Sequence, residues 1–270
     1  MDLTLTAILL GILEGLTEFL PVSSTGHLIL ASELFGYDAA TWAQFNIVIQ
    51  LGAILAVVVT YWQLFWRMGV GVLRRESEAL RFVRNVLLAF MPAAIIGVAV
   101  KDVIDAMLET PLVVAIALVV GGIAIIILER MIKPSPDQGV AALSWRTAIG
   151  IGFVQCLAMI PGTSRSGATI LGALGMGVGR KTAAEFSFFL AVPTMLGAAT
   201  VKILSEPEKL LSGGGLVGWD EIALGLVASF LVGLIIIRAF VAYVSKHGFT
   251  PFAWYRILLG GGAFVWLVLR

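Results

Sequence analysis

The sequence predicts an all-α polytopic membrane protein, an inverted-topology repeat with six transmembrane helices plus two re-entrant helix-loop-helix hairpins. Composition, the pattern of apolar segments and a similarity between the two halves lead to this fold class. Of the 270 residues, 59% are hydrophobic and 13% are charged, and the mean hydropathy is +1.01. Soluble domains are about 25% charged, so the composition excludes a disordered chain and argues against a soluble enzyme. The net charge of +1 gives no indication of nucleic-acid binding.

Six apolar stretches are long enough to cross a bilayer, which takes roughly 20 mostly apolar residues. They are predicted as full spans at about 44–64, 85–100, 112–129, 185–204, 219–237 and 251–269.

Two further apolar segments, at about 3–35 and 144–178, are interrupted near the middle by polar and helix-breaking residues. The interruptions are residues 21–27 (PVSSTGH) and 161–167 (PGTSRSG), here called the first and the second break. Non-helical backbone at membrane depth is tolerated only where it is buried in protein or lines a wet cavity. Both segments are therefore predicted to be re-entrant hairpins.

The distribution of Lys and Arg predicts the orientation, because cytoplasmic loops carry an excess of these residues. Five arginines between 67 and 84 place the loop after the first full span in the cytoplasm. Alternation from there makes 13 of the 18 Lys and Arg cytoplasmic, with Arg256 among them. The first hairpin then opens to the outside and the second to the cytoplasm.

The two halves resemble each other at an offset of 141 residues, with nine identities between 6–30 and 147–171. The chain is thus predicted to be one integral membrane domain, 1–270, with repeat 1 at about 1–130 and repeat 2 at about 144–270. Three spans between the hairpins would invert the second copy. Inverted repeats with broken helices place their site at the repeat interface, so the two breaks are expected to face one another.

Glu14 and Glu18 are four residues apart and therefore share one face of the first hairpin's helix. Carboxylates in an apolar helix are costly and usually functional. Together they can hold a divalent cation through oxygen atoms, or divide general-base and positioning roles. The alternative is that the two carboxylates lie at a water-exposed opening of the hairpin, or that they pair with Arg165.

The first break supplies the group Ser23, Ser24, Thr25, Gly26 and His27, with three hydroxyls ahead of a helix N-terminus that favours anions. A plain N-cap accounts for one hydroxyl but not for three beside a histidine. We therefore expect His27 to take part in catalysis or to contact the substrate.

The second break supplies Ser164, Arg165, Ser166 and Gly167. The guanidinium fork of arginine matches phosphate bidentately, and an intramembrane Arg without an anion is costly. The alternative is an ion pair with Glu14 or Glu18 that locks the hairpins together. Gln50 is also a candidate contact, although interhelical hydrogen bonding explains it equally well. The constellation predicts an intramembrane phosphate site with a metal or a base, which suits a lipid-linked phosphate.

Residues 14–27 (EGLTEFLPVSSTGH) and 161–169 (PGTSRSGAT) resemble the signature motifs of the bacterial undecaprenyl-diphosphate phosphatases, the bacitracin-resistance protein family. The resemblance covers essentially the whole chain and departs from the motifs at no charged or hydroxyl position. It implies a bacterial inner-membrane hydrolase that acts on undecaprenyl diphosphate, recycles the lipid carrier for peptidoglycan synthesis and confers bacitracin resistance. It also implies a divalent cation, Mg²⁺ or Ca²⁺, and an active site on the outer side. Whether the protein forms a homodimer stays open.

Three mechanisms remain open at this point. Ser24 can attack the terminal phosphoryl group while His27 acts as base or acid, His27 can be the nucleophile, or an activated water can attack directly. In each, Arg165 clamps the phosphates with Ser164, Ser166 and Thr25, and Glu14 and Glu18 hold the metal. The alternative function is a transporter or flippase of the polyprenyl phosphate carrier, since inverted repeats with broken helices are common in transporters.

Overall fold

Apolar sequence in a bilayer has to satisfy its backbone internally, and helices do so within one segment. The computed structural model describes residues 2–37, 39–132, 135–205 and 217–269, and those ranges contain helices and no β-strand. The helices are α1 (Leu3–Thr17), α2 (Ser24–Leu34), α3 (Ala39–Thr60), α4 (Trp62–Leu73), α5 (Ser77–Ala99), α6 (Lys101–Leu108), α7 (Pro111–Met131), α8 (Trp145–Gln155), α9 (Arg165–Gly175), α10 (Arg180–Ser205), α11 (Trp219–Val244) and α12 (Thr250–Leu269). The predicted all-α polytopic class is confirmed.

Five of the predicted spans coincide with helices that are long and apolar enough to cross a membrane, namely α5, α7, α10, α11 and α12. Helix α5 begins at Ser77 rather than near 85, because Arg81 and Arg84 lie on its exposed side and not in a loop. Three cations in the orientation argument, Lys133, Lys209 and Arg270, lie outside the described residues.

The span predicted over 44–64 is not one straight helix. Helix α3 ends at Thr60, and α4 continues from Trp62 at an angle of 75°. Edge-to-face contacts of Phe189 with Tyr61 and Phe65, at centroid distances of 4.9 and 5.5 Å, hold the bend. The bent pair is a sixth candidate crossing.

Both predicted hairpins consist of two short helices around a break. Helices α2, α8 and α9 have 11 residues each and α1 has 15. At 1.5 Å per residue these helices are about 16 to 22 Å long, which is less than the roughly 30 Å of a bilayer's hydrocarbon core. Their lengths therefore fit re-entrant segments rather than full spans.

The two halves follow the same order of helices. Helices α2 and α9 begin at 24 and 165, and α3 and α10 begin at 39 and 180, both at the offset of the sequence repeat. Packing between the halves is reciprocal, since α1 packs on α11 while α8 packs on α5, and α7 packs on α12. The repeat's inversion relative to the membrane stays a prediction.

Paired glycines allow the closest of these approaches. A Cβ at Gly11 would collide with the backbone of Gly225, and a Cβ at Gly152 would collide with the backbone of Ala89. Gly11 and Gly152 occupy equivalent repeat positions, so each hairpin is fixed against a helix of the other half by the small-residue packing common in membrane proteins.

Aromatic packing fixes α10 beside the first break. Phe186, Phe188 and Phe189 are almost fully buried, and Phe188 meets Phe19 edge-to-face at a centroid distance of 5.2 Å. Such a pair contributes about 0.5–1.5 kcal/mol beyond its buried area. Because Phe19 follows Glu18 directly, this contact brings α10 to the catalytic candidates.

Candidate active site

Each break contains a strained serine that caps the helix beginning at the next residue. Ser23 and Ser164 have φ values of 72° and 76°, in a region that costs an L-residue about 1–2 kcal/mol. The Ser23 hydroxyl accepts from Gly26 N at 3.3 Å, and the Ser164 hydroxyl accepts from Gly167 N at 3.0 Å. These two serines are thus the N-caps, which leaves the hydroxyls of the following residues for other roles.

Glu18 joins the two breaks. Its Oε2 accepts a short hydrogen bond from the Ser24 hydroxyl, and its Oε1 forms an ion pair with Arg165 Nη2 at 2.8 Å. The two breaks therefore face each other, as the repeat predicts. The ion pair that the sequence left open as an alternative is present, and it lies at the candidate nucleophile rather than away from it.

Arg165 is oriented from α10 as well. Its Nη1 donates to the Ser187 carbonyl at 2.7 Å and to the Ser187 hydroxyl at 3.2 Å. Its Nε is buried and donates to no group among the described residues. The guanidinium is thus fixed in place while one buried donor remains free for an anion.

Glu14 is fully buried beside Glu18 and Arg165. Among the described residues no donor group hydrogen-bonds to either of its carboxylate oxygens. An uncompensated buried carboxylate is costly, so these two orphaned oxygens fit a cation that Glu14 would help to hold, with Glu18 as its neighbour. The described ranges contain no cluster of three or more His, Cys, Asp and Glu side chains, and Mg²⁺ typically takes one or two carboxylates plus phosphate and water oxygens.

Both ring nitrogens of His27 are engaged by groups other than Ser24. Its Nδ1 lies 2.7 Å from the Ser23 carbonyl, and its Nε2 lies 2.7 Å from the Tyr255 hydroxyl. A carbonyl only accepts, so this network assigns the proton of the neutral ring to Nδ1 and makes Nε2 the acceptor of the Tyr255 proton. Glu18, rather than His27, is the group in hydrogen-bond contact with the Ser24 hydroxyl.

The remaining candidates form the walls of the site. Ser166 donates to the Leu20 carbonyl at 2.7 Å and lies 3.1 Å from the Ser164 hydroxyl, so it ties the second break to the first. Thr25 is partly exposed beside Ser24. A Cβ at Gly26 would meet Val114 at 3.1 Å, and one at Gly167 would meet Ser164 at 3.2 Å.

Gln50 is the candidate with no hydrogen bond to the breaks in the described part of the chain. It lies partly exposed on α3, and among the described residues no hydrogen bond joins it to either break. Its role as a substrate contact stays a prediction.

Comparison with known proteins bears directly on this arrangement. The family model described as "Bacitracin resistance protein BacA" matches residues 7–262, which is nearly the whole chain. The chain belongs to the BacA family. Its membership confirms the resemblance predicted from the two motifs.

Full-length relatives agree with that assignment. A protein of Novosphingobium aromaticivorans is 62% identical over 270 residues, with both chains fully covered. Proteins of Sphingopyxis alaskensis and Rhizorhabdus wittichii are 58% and 54% identical, each with 98% of both chains covered. All three are named undecaprenyl-diphosphatase.

Three residues of this BacA-family site were missed by the sequence analysis. Ser187 orients Arg165, Tyr255 contacts His27, and Arg256 lies fully buried between the breaks. Because Arg256 is buried and not part of a loop, it carries no weight in the count of loop charges, and its side of the membrane stays a prediction. Ser187 and Tyr255 come from apolar helices in which no charge or motif marks them.

Proposed function

We propose that this chain hydrolyses undecaprenyl diphosphate to undecaprenyl phosphate and inorganic phosphate. The observation that carries the proposal is the Glu18 carboxylate, which accepts from the Ser24 hydroxyl while it is paired with Arg165. A nucleophile, a base and the guanidinium of Arg165, which can bind phosphate, thus share one buried site. The same reaction is the one named for the 62% identical relative, and it would recycle the lipid carrier and remove the target of bacitracin.

The proposed reaction begins with attack of Ser24 Oγ on the terminal phosphorus. As the new O–P bond forms, the hydroxyl proton passes to Glu18, and the P–O bond to the bridging oxygen breaks, so that undecaprenyl phosphate leaves. Water then attacks the phosphoserine: its oxygen bonds to phosphorus and gives inorganic phosphate, Glu18 returns its proton to the released Ser24 oxygen, and the proton lost by water goes to solvent. Arg165 would exchange its contact with Glu18 for the phosphoryl oxygens and stabilise their charge.

A divalent cation, Mg²⁺ or Ca²⁺, belongs to the proposal, with Glu14 and Glu18 as its protein ligands. The support is the pair of buried Glu14 oxygens that no described donor satisfies. Such an ion neutralises charge on the transferring phosphoryl group. Glu14 then binds the ion, while Glu18 also serves Ser24.

The geometry favours this route over the other mechanisms. Both ring nitrogens of His27 are engaged, by Ser23 and Tyr255, which leaves neither aimed at the phosphoryl position beside Ser24. A carrier of the lipid would need complementary charge alone. The Ser24–Glu18 hydrogen bond is a feature of nucleophilic catalysis, so we favour hydrolysis over transport as the activity of the site.

We further propose that the protein is embedded in the bacterial inner membrane with its active site open to the outer side. The support is the exposed arginine group at the α4–α5 junction, Arg74, Arg75 and Arg81, since such groups stay cytoplasmic. In a variant without Cys156, Arg75→Cys should react with a membrane-impermeant maleimide only after the cells are opened. Equal labelling in intact cells would reverse the orientation.

The first test of the function is phosphate release from undecaprenyl diphosphate by detergent-purified protein, with and without EDTA. Wild type should release phosphate, EDTA should suppress release by at least about 100-fold, and added Mg²⁺ or Ca²⁺ should restore it. Glu14→Gln should raise the metal concentration needed for half-maximal rate. Glu78→Gln, on exposed α5, is the control and should behave as wild type.

Each negative result has its own meaning. A folded wild type that binds the lipid but releases no phosphate would overturn the hydrolase assignment and favour a carrier. Full activity in EDTA would overturn only the proposed requirement for a divalent cation.

A further inference from the structure

The guanidinium of Arg256 lies between the two breaks and donates only to backbone. Arg256 is 1% exposed, and among the described residues no carboxylate forms an ion pair with it. Its five hydrogen bonds go to the carbonyls of Pro21 (3.1 Å), Ala117 (3.1 Å), Leu118 (3.3 Å), Gly162 (2.9 Å) and Thr163 (2.9 Å). Arginine has five N–H donors, so all of them are used.

Three of the five carbonyls that Arg256 binds, those of Pro21, Gly162 and Thr163, lie in the breaks, outside the helices, and the other two lie in α7. Pro21 and Gly162 are equivalent in the repeat, 141 residues apart, and Thr163 follows Gly162. One planar group thus binds the matching points of both breaks and fixes the distance between them. Pro21 lies three residues before Ser24, and Thr163 lies two residues before Arg165.

Helix α7 is shaped to admit this side chain. A Cβ at Gly121 would collide with the Arg256 guanidinium, and a Cβ at Gly122 would contact Ala253 at 2.7 Å. The space left by Gly121 allows Arg256 to reach the Ala117 and Leu118 carbonyls on a full-length helix. The Arg256 guanidinium and the five carbonyls that it binds are here called the clamp. The Gly121-Gly122 pair is therefore explained by Arg256 and not only by helix packing.

We propose that Arg256 is a positioning residue that aligns Ser24 of the first break with Arg165 of the second. It contacts neither side chain, and its donors are fully engaged, so it has none left for phosphate. This inference rests on the proposed hydrolase function. Displacement of one break by about 1 Å is enough to cost roughly 10²-fold in rate.

Two variants disturb the clamp in different ways. Arg256→Lys keeps the charge but has three donors instead of five, and Gly121→Ala keeps Arg256 but fills the space that Gly121 leaves for it. Each should lower kcat by about 100-fold and change KM by less than about threefold, because no substrate contact is lost. Gly261→Ala is the matched control on α12, since a Cβ there meets nothing within 4 Å, and it should match wild type.

A double-mutant cycle separates positioning from a purely structural role. If Arg256 acts by aligning Arg165, then Arg256→Lys should cost much less in an Arg165→Lys background than in wild type. Additive losses would overturn the proposal, as would a folded Arg256→Lys or Gly121→Ala protein with kcat within about threefold of wild type. Failure of both variants to fold would assign Arg256 to folding and would also end the proposal.

A measurement independent of turnover keeps this inference distinct from the proposed function. Nitroxide labels at Leu34, which is 69% exposed at the end of α2, and at Met176, which follows α9, report the distance between the hairpins. In a background without Cys156, Arg256→Lys should broaden that distance distribution, and Gly261→Ala should not. An unchanged distance distribution would overturn the proposed positioning role of Arg256. An inactive wild-type protein would overturn only the proposed hydrolase activity.

Discussion

Replacing Ser24 with alanine is expected to lower the rate of phosphate release by about 10⁴-fold or more at saturating substrate, the loss typical of a removed nucleophile. The Ser24 hydroxyl is the donor to Glu18 and lies at the first residue of α2. Its removal leaves Glu18, Arg165 and the proposed cation site in place, so substrate should still bind. The measurements are kcat and the affinity for the lipid. The affinity should stay within a few-fold of wild type.

Ser32→Ala is the matched control for this substitution. Ser32 lies on the same helix, is 1% exposed, and its hydroxyl has no hydrogen-bond partner among the described residues. Removal of an unsatisfied buried hydroxyl is nearly neutral for folding. Ser32→Ala should therefore retain wild-type kcat, which shows that loss of a serine from α2 is not in itself damaging.

Covalent trapping decides between Ser24 and water as the attacking group. Rapid acid quenching of enzyme mixed with terminally ³²P-labelled substrate should leave label on Ser24 in wild type and in Ser32→Ala, and none in Ser24→Ala. A parallel alkaline quench preserves phosphohistidine, which acid destroys, and label on His27 in that sample would support the histidine alternative. An unlabelled protein, together with a Ser24→Ala rate within about tenfold of wild type, would point to direct attack by water.

The composition and the two polar interruptions were enough to predict most of this arrangement. Charged residues are so costly in an apolar helix that Glu14, Glu18 and Arg165 mark the site without any structure. The repeat then predicts that the breaks meet, and the Glu18–Arg165 pair bears this out. The strain at Ser23 and Ser164 was not predictable, because a serine before a helix normally caps it without a positive φ.

What the sequence could not supply are contacts between distant helices. Tyr255 and Arg256 come from α12, more than two hundred residues after the first break, and each belongs to an apolar run that predicts only a span. The bend after Thr60 is likewise a tertiary effect, since no Pro or Gly marks it and Phe189 holds it from α10. Hydropathy identifies segments, whereas these features depend on which segments touch.

The repeat builds an asymmetric site out of matching positions. Ser24 and Arg165 occupy equivalent places, each at the first residue of the helix that begins within its break. On the same offset Glu14 corresponds to Gln155, and Glu18 to Met159. In the proposed mechanism the first hairpin thus supplies the nucleophile Ser24, the base Glu18 and the metal ligands, and the second hairpin supplies the guanidinium of Arg165. On this proposal neither half can carry out the reaction alone. Loss of the Arg165 guanidinium should therefore be nearly as damaging as loss of the nucleophile.

Arg165→Ala is therefore expected to lower kcat/KM by about 10³-fold or more, because the fixed donors for the developing phosphoryl charge are lost. The substitution also leaves Glu18 buried without its partner, at a cost of about 3–5 kcal/mol in stability, so melting temperature and monodispersity have to be measured alongside. Arg165→Lys retains the charge but loses the bidentate fork. It should fold better and still be impaired by about 10²-fold.

Arg146→Ala is the control for the loss of an arginine, since Arg146 is exposed on the same hairpin and should tolerate the change. Combining Arg165→Ala with Glu18→Gln tests whether the two act as a unit. Gln is uncharged, so the double variant should recover much of the stability lost in Arg165→Ala while its activity stays as low as in either single variant. A folded Arg165→Ala protein within about tenfold of wild-type kcat/KM would contradict the role of the second break, because the ion pair would then only hold the hairpins together.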